Sequence, residues 1–251
     1  MDKGIGNRFI KGTAFTGNSE EDLEKSDQTQ GIPQPRMQEP YKEGKKTIKL
    51  KKPDQLKIKN TAFREILEQR RSVRNYSAEP LSKDELSWLL WCTQGVQQTT
   101  PQPRTYRTVP SAGGRHPYET YLAIGNVEDL EPGLYRYLAL EHELLFIEKD
   151  EEILDKVTEY SWNQRFIQKS AVVFIWVFVP NRTVWRFNQR GYRNIIEAGH
   201  ICQNLYLSAE AIECGACAII CFGDQKLNNL VGVDGQEQLV IYIATVGKKS
   251  K

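Results

Sequence analysis

The chain has 251 residues, of which 39% are hydrophobic and 26% are charged, and its formal net charge is +2. This composition is typical of a globular protein, and so small a net charge does not select for nucleic acid as a partner. The longest apolar run, residues 171–179, has nine residues, whereas a membrane-spanning helix needs roughly twenty. The sequence therefore excludes a membrane-spanning helix, and we expect no membrane partner.

The N-terminus and the cysteines indicate the compartment. Residues 1–18 contain no apolar segment of the kind found in secretory signals. The cysteines are odd in number, which argues for free thiols in a reducing environment; they are Cys92, Cys202, Cys214, Cys217 and Cys221. We therefore expect a cytoplasmic protein.

Residues 1–58 form an N-terminal arm that is predicted to be extended and partly flexible. Polar residues, glycine and proline dominate it, so it cannot bury enough apolar surface to fold alone. Its end is rich in lysine, from Lys42 to Lys59. One interpretation is a docking patch for nucleic acid or an acidic partner. The other, which we prefer because no aromatic residues alternate with the lysines, is a solvated arm in which Ile48 and Leu50 hold one short strand.

Residues 59–251 are predicted to form a single domain, which begins with two helices. Phe63, Ile66 and Leu67 share a helical face, so residues 61–70 are predicted to be a helix capped by Asn60. The second helix has a clearer start. Ser82 and Glu85 have the spacing of a capping box, Leu81 and Leu86 that of a hydrophobic staple, and Gly95 ends the helix.

The elements that follow are mixed. A long polar loop is predicted for residues 96–117. Strands are predicted at residues 118–124, 134–138, 144–147, 171–179, 216–222 and 239–246, and helices at residues 151–160, 191–212 and 225–230, the last capped by Asp224. The stretch 171–179 is apolar on both faces and should be central. Helix 191–212 is apolar nearly all round, so it should be buried in the core or against another subunit. This order predicts an α+β sandwich.

Two segments carry residues suited to binding an anion or a flat ligand. Arg70-Arg71-Ser72-Val73-Arg74 places three guanidiniums and a hydroxyl just beyond a predicted helix, a set that matches phosphate oxygens; a solvated basic turn is the alternative. In the long loop, Pro110-Ser111-Ala112-Gly113-Gly114 would let the backbone approach a ligand closely, although such residues also make ordinary turns. The histidine that follows, His116, is either structural or catalytic.

Two further segments, residues 213–217 and the C-terminal lysines, could also contact a ligand. Glu213-Cys214-Gly215-Ala216-Cys217 joins the long helix to a strand, with Gly215 at a helix C′ position or presenting backbone N–H groups to a ring. An iron–sulfur site is disfavoured because the strand pattern places Cys217 and Cys221 on one face as core thiols, so no metal is predicted. At the C-terminus, Lys248 and Lys249 either reach a phosphate or belong to a frayed tail.

Taken in order, these segments resemble the nitroreductase family of flavoproteins, and most closely its branch of SagB-type (thiazole- and oxazole-forming) dehydrogenases. The arginine segment resembles the signature that holds the FMN phosphate and ribityl chain. Residues 110–114, with His116, Pro117 and Glu119, resemble the loop over the flavin ring. Residues 197–205 resemble the long dimer-core helix, Cys214-Gly215-Ala216 the turn toward flavin N5 and O4, and Lys248 or Lys249 a second phosphate contact. The family often has Gly-Leu-Gly where this chain has Glu213-Cys214-Gly215.

The resemblance implies a three-layer α-β-α sandwich with a mostly antiparallel sheet, and a homodimer with two FMN sites at the subunit interface. It implies ping-pong hydride transfer through flavin N5, with NAD(P)H reducing nitro or quinone acceptors, or oxidation of a peptide azoline. The catalytic residues stay unassigned; His116 and Tyr192 are candidates. The alternative function is a flavin-binding redox sensor or storage module without turnover.

Overall fold

The computed structural model of the chain describes residues 4–15, 17, 26–58, 61–101 and 104–250. Its α-helices are α1 (Gly4–Gly12), α2 (Phe63–Gln69), α3 (Lys83–Gln94), α4 (Ile153–Tyr160), α5 (Asn181–Phe187), α6 (Glu197–Ala211) and α7 (Asp224–Val231). Its strands are β1 (Thr47–Lys49), β2 (Val96–Thr99), β3 (Thr105–Arg107), β4 (Tyr118–Ile124), β5 (Gly133–Leu138), β6 (Glu143–Lys149), β7 (Val172–Phe178), β8 (Cys214–Ile219) and β9 (Leu239–Lys248).

A seven-stranded sheet forms the middle layer, with the order β1-β6-β5-β4-β7-β9-β8 and antiparallel pairing throughout. Strand β7 lies between β4 and β9 and is buried along its whole length, as its apolar pattern predicts. Helices α3 and α6 contribute to the core on one face of the sheet, and α4 and α7 to the core on the other. The predicted α+β, three-layer architecture is confirmed.

The start of helix α3 shows how local sequence sets the fold. The Ser82 hydroxyl accepts from the Glu85 amide at 3.2 Å, and the Glu85 carboxylate accepts from the Ser82 amide at 2.9 Å. The capping box is therefore confirmed, and it satisfies amides that have no partner within the helix. Leu81 and Leu86 are both fully buried in the same core.

Other predicted boundaries differ from the structure. Helix α2 begins at Phe63 after Ala62, and Asn60, the predicted cap, lies outside the described residues. Helix α7 begins at Asp224 itself and Gly223 is its N-cap, so the predicted cap at Asp224 was wrong. The long helix is broken, because a 3-10 segment, Asn188–Ile196, precedes α6.

The segment predicted as a loop, residues 96–117, contains the hairpin β2–β3. The prediction was wrong there because β2, one strand of this two-stranded ribbon, has no alternation of buried and exposed residues: its side chains are partly or fully exposed. The pairing depends on contacts between the two strands rather than on an apolar face.

The N-terminal arm packs against its own domain over residues 26–58. Strand β1 pairs with β6 and Leu50 is buried, which confirms the predicted short strand. Residues 26–40, called the strap below, are held by side chains of the domain: the Trp185 indole donates to the Ile32 carbonyl at 2.8 Å, and Arg136 donates to the Glu39 carbonyl at 2.9 Å. Within the described residues, none of the helices has the length and hydropathy to cross a bilayer.

Candidate functional site

The arginine segment runs beside the edge strand β8. The Val73 amide donates to the Ala216 carbonyl at 2.9 Å, and Ser72 forms a parallel bridge with Ala216. The pairing brings Val73 against Gly215, where a Cβ added to the glycine would lie 2.5 Å from the Val73 Cβ. The arginine segment and the Cys214–Ala216 segment, far apart in sequence, are therefore neighbours.

Replacing Gly215 by alanine is expected to lower the free energy of unfolding by about 1–3 kcal/mol, the usual cost of overpacking a filled site. The control is Gly199→Ala on helix α6, where an added Cβ meets nothing within 4 Å, so alanine should stabilise the helix by up to about 1 kcal/mol. Urea unfolding of both variants measures the difference. Equal midpoints for Gly215→Ala and the unmodified chain would show that β8 and Val73 are not in this contact.

No carboxylate among the described residues neutralises the three guanidiniums of this segment. Arg70 lies over the Tyr206 ring at 5.2 Å and Arg74 over the Phe166 ring at 5.7 Å. Arg71 donates to backbone carbonyls at 2.8 and 2.9 Å. Among the ion pairs formed within the described part of the chain, none includes these arginines. Concentrated positive charge beside the exposed Ser72 is a suitable site for a phosphate.

Tyr206 was missed by sequence reasoning, which assigned it to the apolar surface of the long helix. Its hydroxyl lies 3.0 Å from the Ser72 Oγ and accepts from the Ala218 amide at 2.8 Å. It therefore ties helix α6 to both the arginine segment and β8. A tyrosine on an otherwise apolar helix is the available signal, because its hydroxyl needs a partner when the ring is packed.

Cys214, Gly215 and Ala216 lie inside the sheet, where they pair with Lys248, Gly247 and Val246 of β9. Gly215 is thus not a helix C′ residue: α6 ends at Ala211, and Glu213 takes the left-handed conformation with φ 60°. That prediction was wrong, and the contact of this segment with a flavin stays a prediction.

The cysteines are divided by burial. Cys217 is a core thiol as predicted, but Cys221 is exposed. The prediction for Cys221 was wrong because β8 ends at Ile219 and the alternation of faces ends with it. Burial raises the pKa of the Cys214 thiol to about 12, which keeps it protonated. Within the described residues, no three His, Cys, Asp or Glu side chains are grouped as metal ligands would be.

The two C-terminal lysines are already paired. Lys248 forms an ion pair with Glu85, and Lys249 forms one with Glu210 at 2.5 Å. Backbone contacts hold this end in place, since the Lys248 carbonyl accepts from the Ser77 amide at 3.0 Å. The alternative of a frayed tail is therefore wrong for Lys248 and Lys249. Their contact with a phosphate would have to displace a carboxylate, and it stays a prediction.

Residues 110–114, called the glycine loop, are held by the start of helix α6. The Ala112 amide donates to the Glu197 carboxylate at 2.8 Å, and the Ser111 hydroxyl accepts from the His116 amide at 2.8 Å. Gly113 has φ +62° and packs against Arg186, whose Cδ would lie 2.8 Å from an added Cβ. Pro110, the first residue of the loop, is exposed. Burial raises the pKa of Glu197.

The arginine segment and the glycine loop lie toward opposite ends of one helix. Tyr206 contacts the first and Glu197 the second. They are nine residues apart in α6, or about 14 Å along a helix that rises 1.5 Å per residue. Within one chain the two candidate binding segments therefore contact different parts of α6.

The profile of the family described as Nitroreductase matches residues 67–248. That range begins in helix α2 and ends with β9, so it contains both segments. The chain belongs to the nitroreductase family. Its fold, with a mostly antiparallel sheet between helices, is that of the family, and its class of activity is that of an oxidoreductase.

Individual relatives agree with this nitroreductase-family assignment. A Methanocaldococcus jannaschii protein named as a nitroreductase is 31% identical over 204 residues, which cover 81% of this chain and 98% of the relative. A nitroreductase structure from Anabaena variabilis matches with a TM-score of 0.63 and 27% identity over 75% of this chain; the match spans 38% of that longer chain. A nitroreductase structure from Ralstonia eutropha, at 22% identity, shows likeness of the fold alone, with a TM-score of 0.67 over 87% of this chain and 95% of that one.

A further structure shares the fold. It is the Escherichia coli microcin synthetase McbBCD complex with truncated pro-MccB17 bound, with a TM-score of 0.61 and 18% identity, covering 83% of this chain and 80% of the matched chain. At that identity the likeness concerns the fold alone.

His116 of this nitroreductase-family protein is a buried, neutral side chain. Its backbone has φ 43°, and its Nε2 lies 3.1 Å from the Thr105 carbonyl, so Nε2 donates. Burial, and next the charge of Arg107, lower the His116 pKa to about 3. The ring therefore carries its proton on Nε2 at neutral pH and is a poor proton acceptor for catalysis.

His116 should make the fold sensitive to acid. The unfolded chain, with a histidine pKa of about 6.5, binds a proton that the folded chain excludes until pH falls near the folded pKa. Between those values the free energy of unfolding should fall with acidification by about 1.4 kcal/mol per pH unit from this residue. In the variant His116→Asn, asparagine tolerates the positive φ. The dependence of the free energy of unfolding on pH, measured by urea unfolding between pH 4 and 7, should therefore be flatter. His200→Asn, at an exposed position, should leave it unchanged; equal slopes for both variants would contradict the assignment.

Tyr192, the other catalytic candidate, lies in the 3-10 segment before α6. It is 39% exposed, and its ring lies edge-on to Phe178 with centroids 6.4 Å apart. It lines a polar cavity of about 390 Å³, whose wall also includes Glu39, Pro180, Asn181, Gln236 and Gln238. The structure thus places Tyr192 beside a cavity that a small molecule can enter. The residue precedes the N-terminal end of α6, the end that contacts the glycine loop.

Proposed function

We propose that this protein is an FMN-dependent oxidoreductase. The observation that carries the proposal is the group of three guanidiniums, Arg70, Arg71 and Arg74, that no carboxylate of the described chain neutralises. Ser72 adds a hydroxyl at the surface between them. This donor set fits a phosphate monoester, and membership of the nitroreductase family makes the phosphate of FMN the expected ligand.

The same residues define the part of the site that would hold FMN. Arg70, Arg71, Ser72 and Arg74 would hold the phosphate, and residues 111–113 would approach the ring. The lysines 248 and 249 fit less well, because their charges are paired with Glu85 and Glu210. When bound, FMN supplies hydride acceptance and donation at its N5 atom.

The protein's own residues would bind, orient and exclude water. Glu197 fixes the glycine loop through the Ala112 amide, and Tyr206 fixes the arginine segment through Ser72. His116 carries its proton toward Thr105 and so acts in positioning rather than in proton transfer. Positive charge beside a reduced flavin stabilises its anionic form.

We propose a homodimer with the FMN sites at its interface. The arginine segment and the glycine loop contact different parts of α6 in one chain, and we infer that a second copy completes each site. Apolar surface lies beside that helix, where Phe63 and Leu67 are 63% and 47% exposed. A mostly apolar groove of about 330 Å³ is also present there, lined in part by Trp88, Trp91 and Leu207. Exposed apolar patches of this kind mark interaction sites.

Two substrate classes are compatible with this site. In the first, NAD(P)H reduces the flavin and leaves, and a nitro or quinone compound then reoxidises it. In the second, a peptide azoline is oxidised, as the SagB-type resemblance of residues 110–119 suggests. We place the protein in the cytoplasm in either case.

The test begins with the absorption spectrum and mass of the molecule that co-purifies with the full chain. A flavin spectrum and the mass of FMN are expected. Stopped-flow mixing with NADH and NADPH then separates the two classes, because a dedicated azoline oxidase should be bleached slowly by either. Tight FMN with no turnover on donors, acceptors or azoline peptides would favour a sensor or storage module. A purified chain that neither carries nor binds FMN would overturn the proposal.

A further inference from the structure

A buried group of charges lies where the strap meets the domain, away from the arginine segment 70–74. Arg182 is its centre, with a side chain that is 1% exposed. Its Nη2 contacts the carboxylate of Glu119, which is 4% exposed, and the carboxylate of Glu39 at 3.0 Å, which is 23% exposed. Glu119 is therefore the inner partner of Arg182, and Glu39, on the strap, is the outer one.

Positive charge exceeds negative charge in this group. Its guanidiniums all belong to buried residues: Arg107, Arg115, Arg136 and Arg182. The carboxylates that contact Arg182 are those of Glu39 and Glu119, so these six side chains together carry a surplus of two positive charges. Much of the remaining donor capacity is satisfied by neutral oxygens, such as Gln94 Oε1 at 3.1 Å from Arg107. Burial lowers the pKa of Arg107 to about 10, which leaves it charged at neutral pH.

The polar cavity beside Tyr192 reaches this group through Glu39. Glu39 lines the cavity, and its carboxylate contacts Arg182, so this residue connects the two. Asn181, Gln236 and Gln238 form part of the remaining wall, which also includes the acidic residue Glu237. Amide side chains can bind a polar molecule, and the surplus positive charge behind Glu39 suits a single carboxylate.

The side chain of Glu39 can leave Arg182 without detaching the strap. The Glu39 amide donates to Glu119 at 3.0 Å, and the Glu39 and Pro40 carbonyls accept from Arg136. Farther along the strap, the Ile32 carbonyl accepts from the Trp185 indole. All of these contacts use the strap's backbone, so none of them needs the Glu39 carboxylate.

We propose that Arg182 and this cavity form a binding site for the carboxylate of a small polar molecule, and that the Glu39 carboxylate occupies it as an intramolecular competitor. A ligand carboxylate would replace Glu39 on Arg182 while the cavity amides bind its polar remainder. Binding involves no flavin and none of the residues proposed to hold it. A failure of the carboxylate-site proposal is therefore distinguishable from a failure of the proposed function.

The test is calorimetric titration of the full-length protein, as purified, with N-acetylglycine as the probe. Glu39→Gln removes the competing charge, and Glu43→Gln is the matched control because it changes the net charge equally at an exposed position of the same arm. We expect Glu39→Gln to bind the probe at least about tenfold more tightly than Glu43→Gln, since a tethered group competes at effective concentrations on the order of millimolar. The affinity for the uncharged N-acetylglycinamide should be the same in both variants.

A second pair of variants keeps the proposal testable if Glu39→Gln folds poorly. Glu39→Asp retains the charge on a shorter side chain, so its gain in affinity for N-acetylglycine should be intermediate. Gln238→Leu, combined with either variant, should remove the gain because it changes the cavity wall. Equal affinity of Glu39→Gln and Glu43→Gln, an equal gain for the amide, or a gain that survives Gln238→Leu would overturn the proposal.

Discussion

Replacing Glu119 by alanine is expected to lower the free energy of unfolding by about 3–5 kcal/mol, the usual cost of removing one partner of a buried ion pair. The carboxylate contacts Arg182, whose side chain is almost completely buried, and it also accepts from the Glu39 amide at 3.0 Å. Its loss leaves a guanidinium without its inner partner, in a group that already carries surplus positive charge. Glu39 retains one contact with Arg182, so the chain should still fold.

Urea unfolding at neutral pH measures this change, with the slope of the transition checked against that of the unmodified chain. Glu128→Ala is the control, because Glu128 is exposed and such substitutions usually stay within about 0.5 kcal/mol. Glu119→Gln should cost less than alanine, since the amide oxygen can still accept from Arg182. A loss as small as that of Glu128→Ala would mean that Glu119 and Arg182 do not form the buried pair.

The parts of the fold that the sequence predicts best are those where neighbouring residues decide the structure. The capping box of Ser82 and Glu85 depends on four consecutive residues, and the apolar run of β7 needs only burial on both faces; both are confirmed. Residues 188–196 are different. Their side chains have a helical pattern, but the backbone forms a 3-10 segment, which no local sequence feature predicts.

The candidate site was predictable as a set of residues and not as a set of contacts. Three arginines and a serine in one segment indicate a phosphate site without reference to the rest of the chain. That Lys248 is paired with Glu85 depends on where β9 ends relative to α3, and a sequence pattern carries no such distance. Likewise Arg182 and Glu119 are 63 residues apart, so neither residue type alone reveals the buried pair.

Arg74→Ala is expected to weaken the binding of FMN by about 1.5–3 kcal/mol, the range for hydrogen bonds to charged groups. That loss corresponds to a dissociation constant about 10- to 150-fold higher. Arg74 is exposed and its guanidinium lies over Phe166 rather than on a carboxylate, so its charge is available to a phosphate. Titration of the flavin-free chain with FMN, followed by quenching of flavin fluorescence, measures the constant.

Two comparisons separate phosphate binding from general charge and from folding. Arg64→Ala removes an equal charge from the neighbouring helix, where Arg64 is exposed and paired with Glu68, and it should leave FMN affinity unchanged. Arg74→Lys keeps the charge but loses the two-pronged geometry that matches phosphate oxygens, so its affinity should lie between those of alanine and arginine. Because Arg74 is at the surface, its alanine variant should unfold at nearly the same urea concentration as the unmodified chain. If FMN binds Arg74→Ala and Arg64→Ala equally well, the phosphate is held elsewhere, and the arginine segment loses its proposed role.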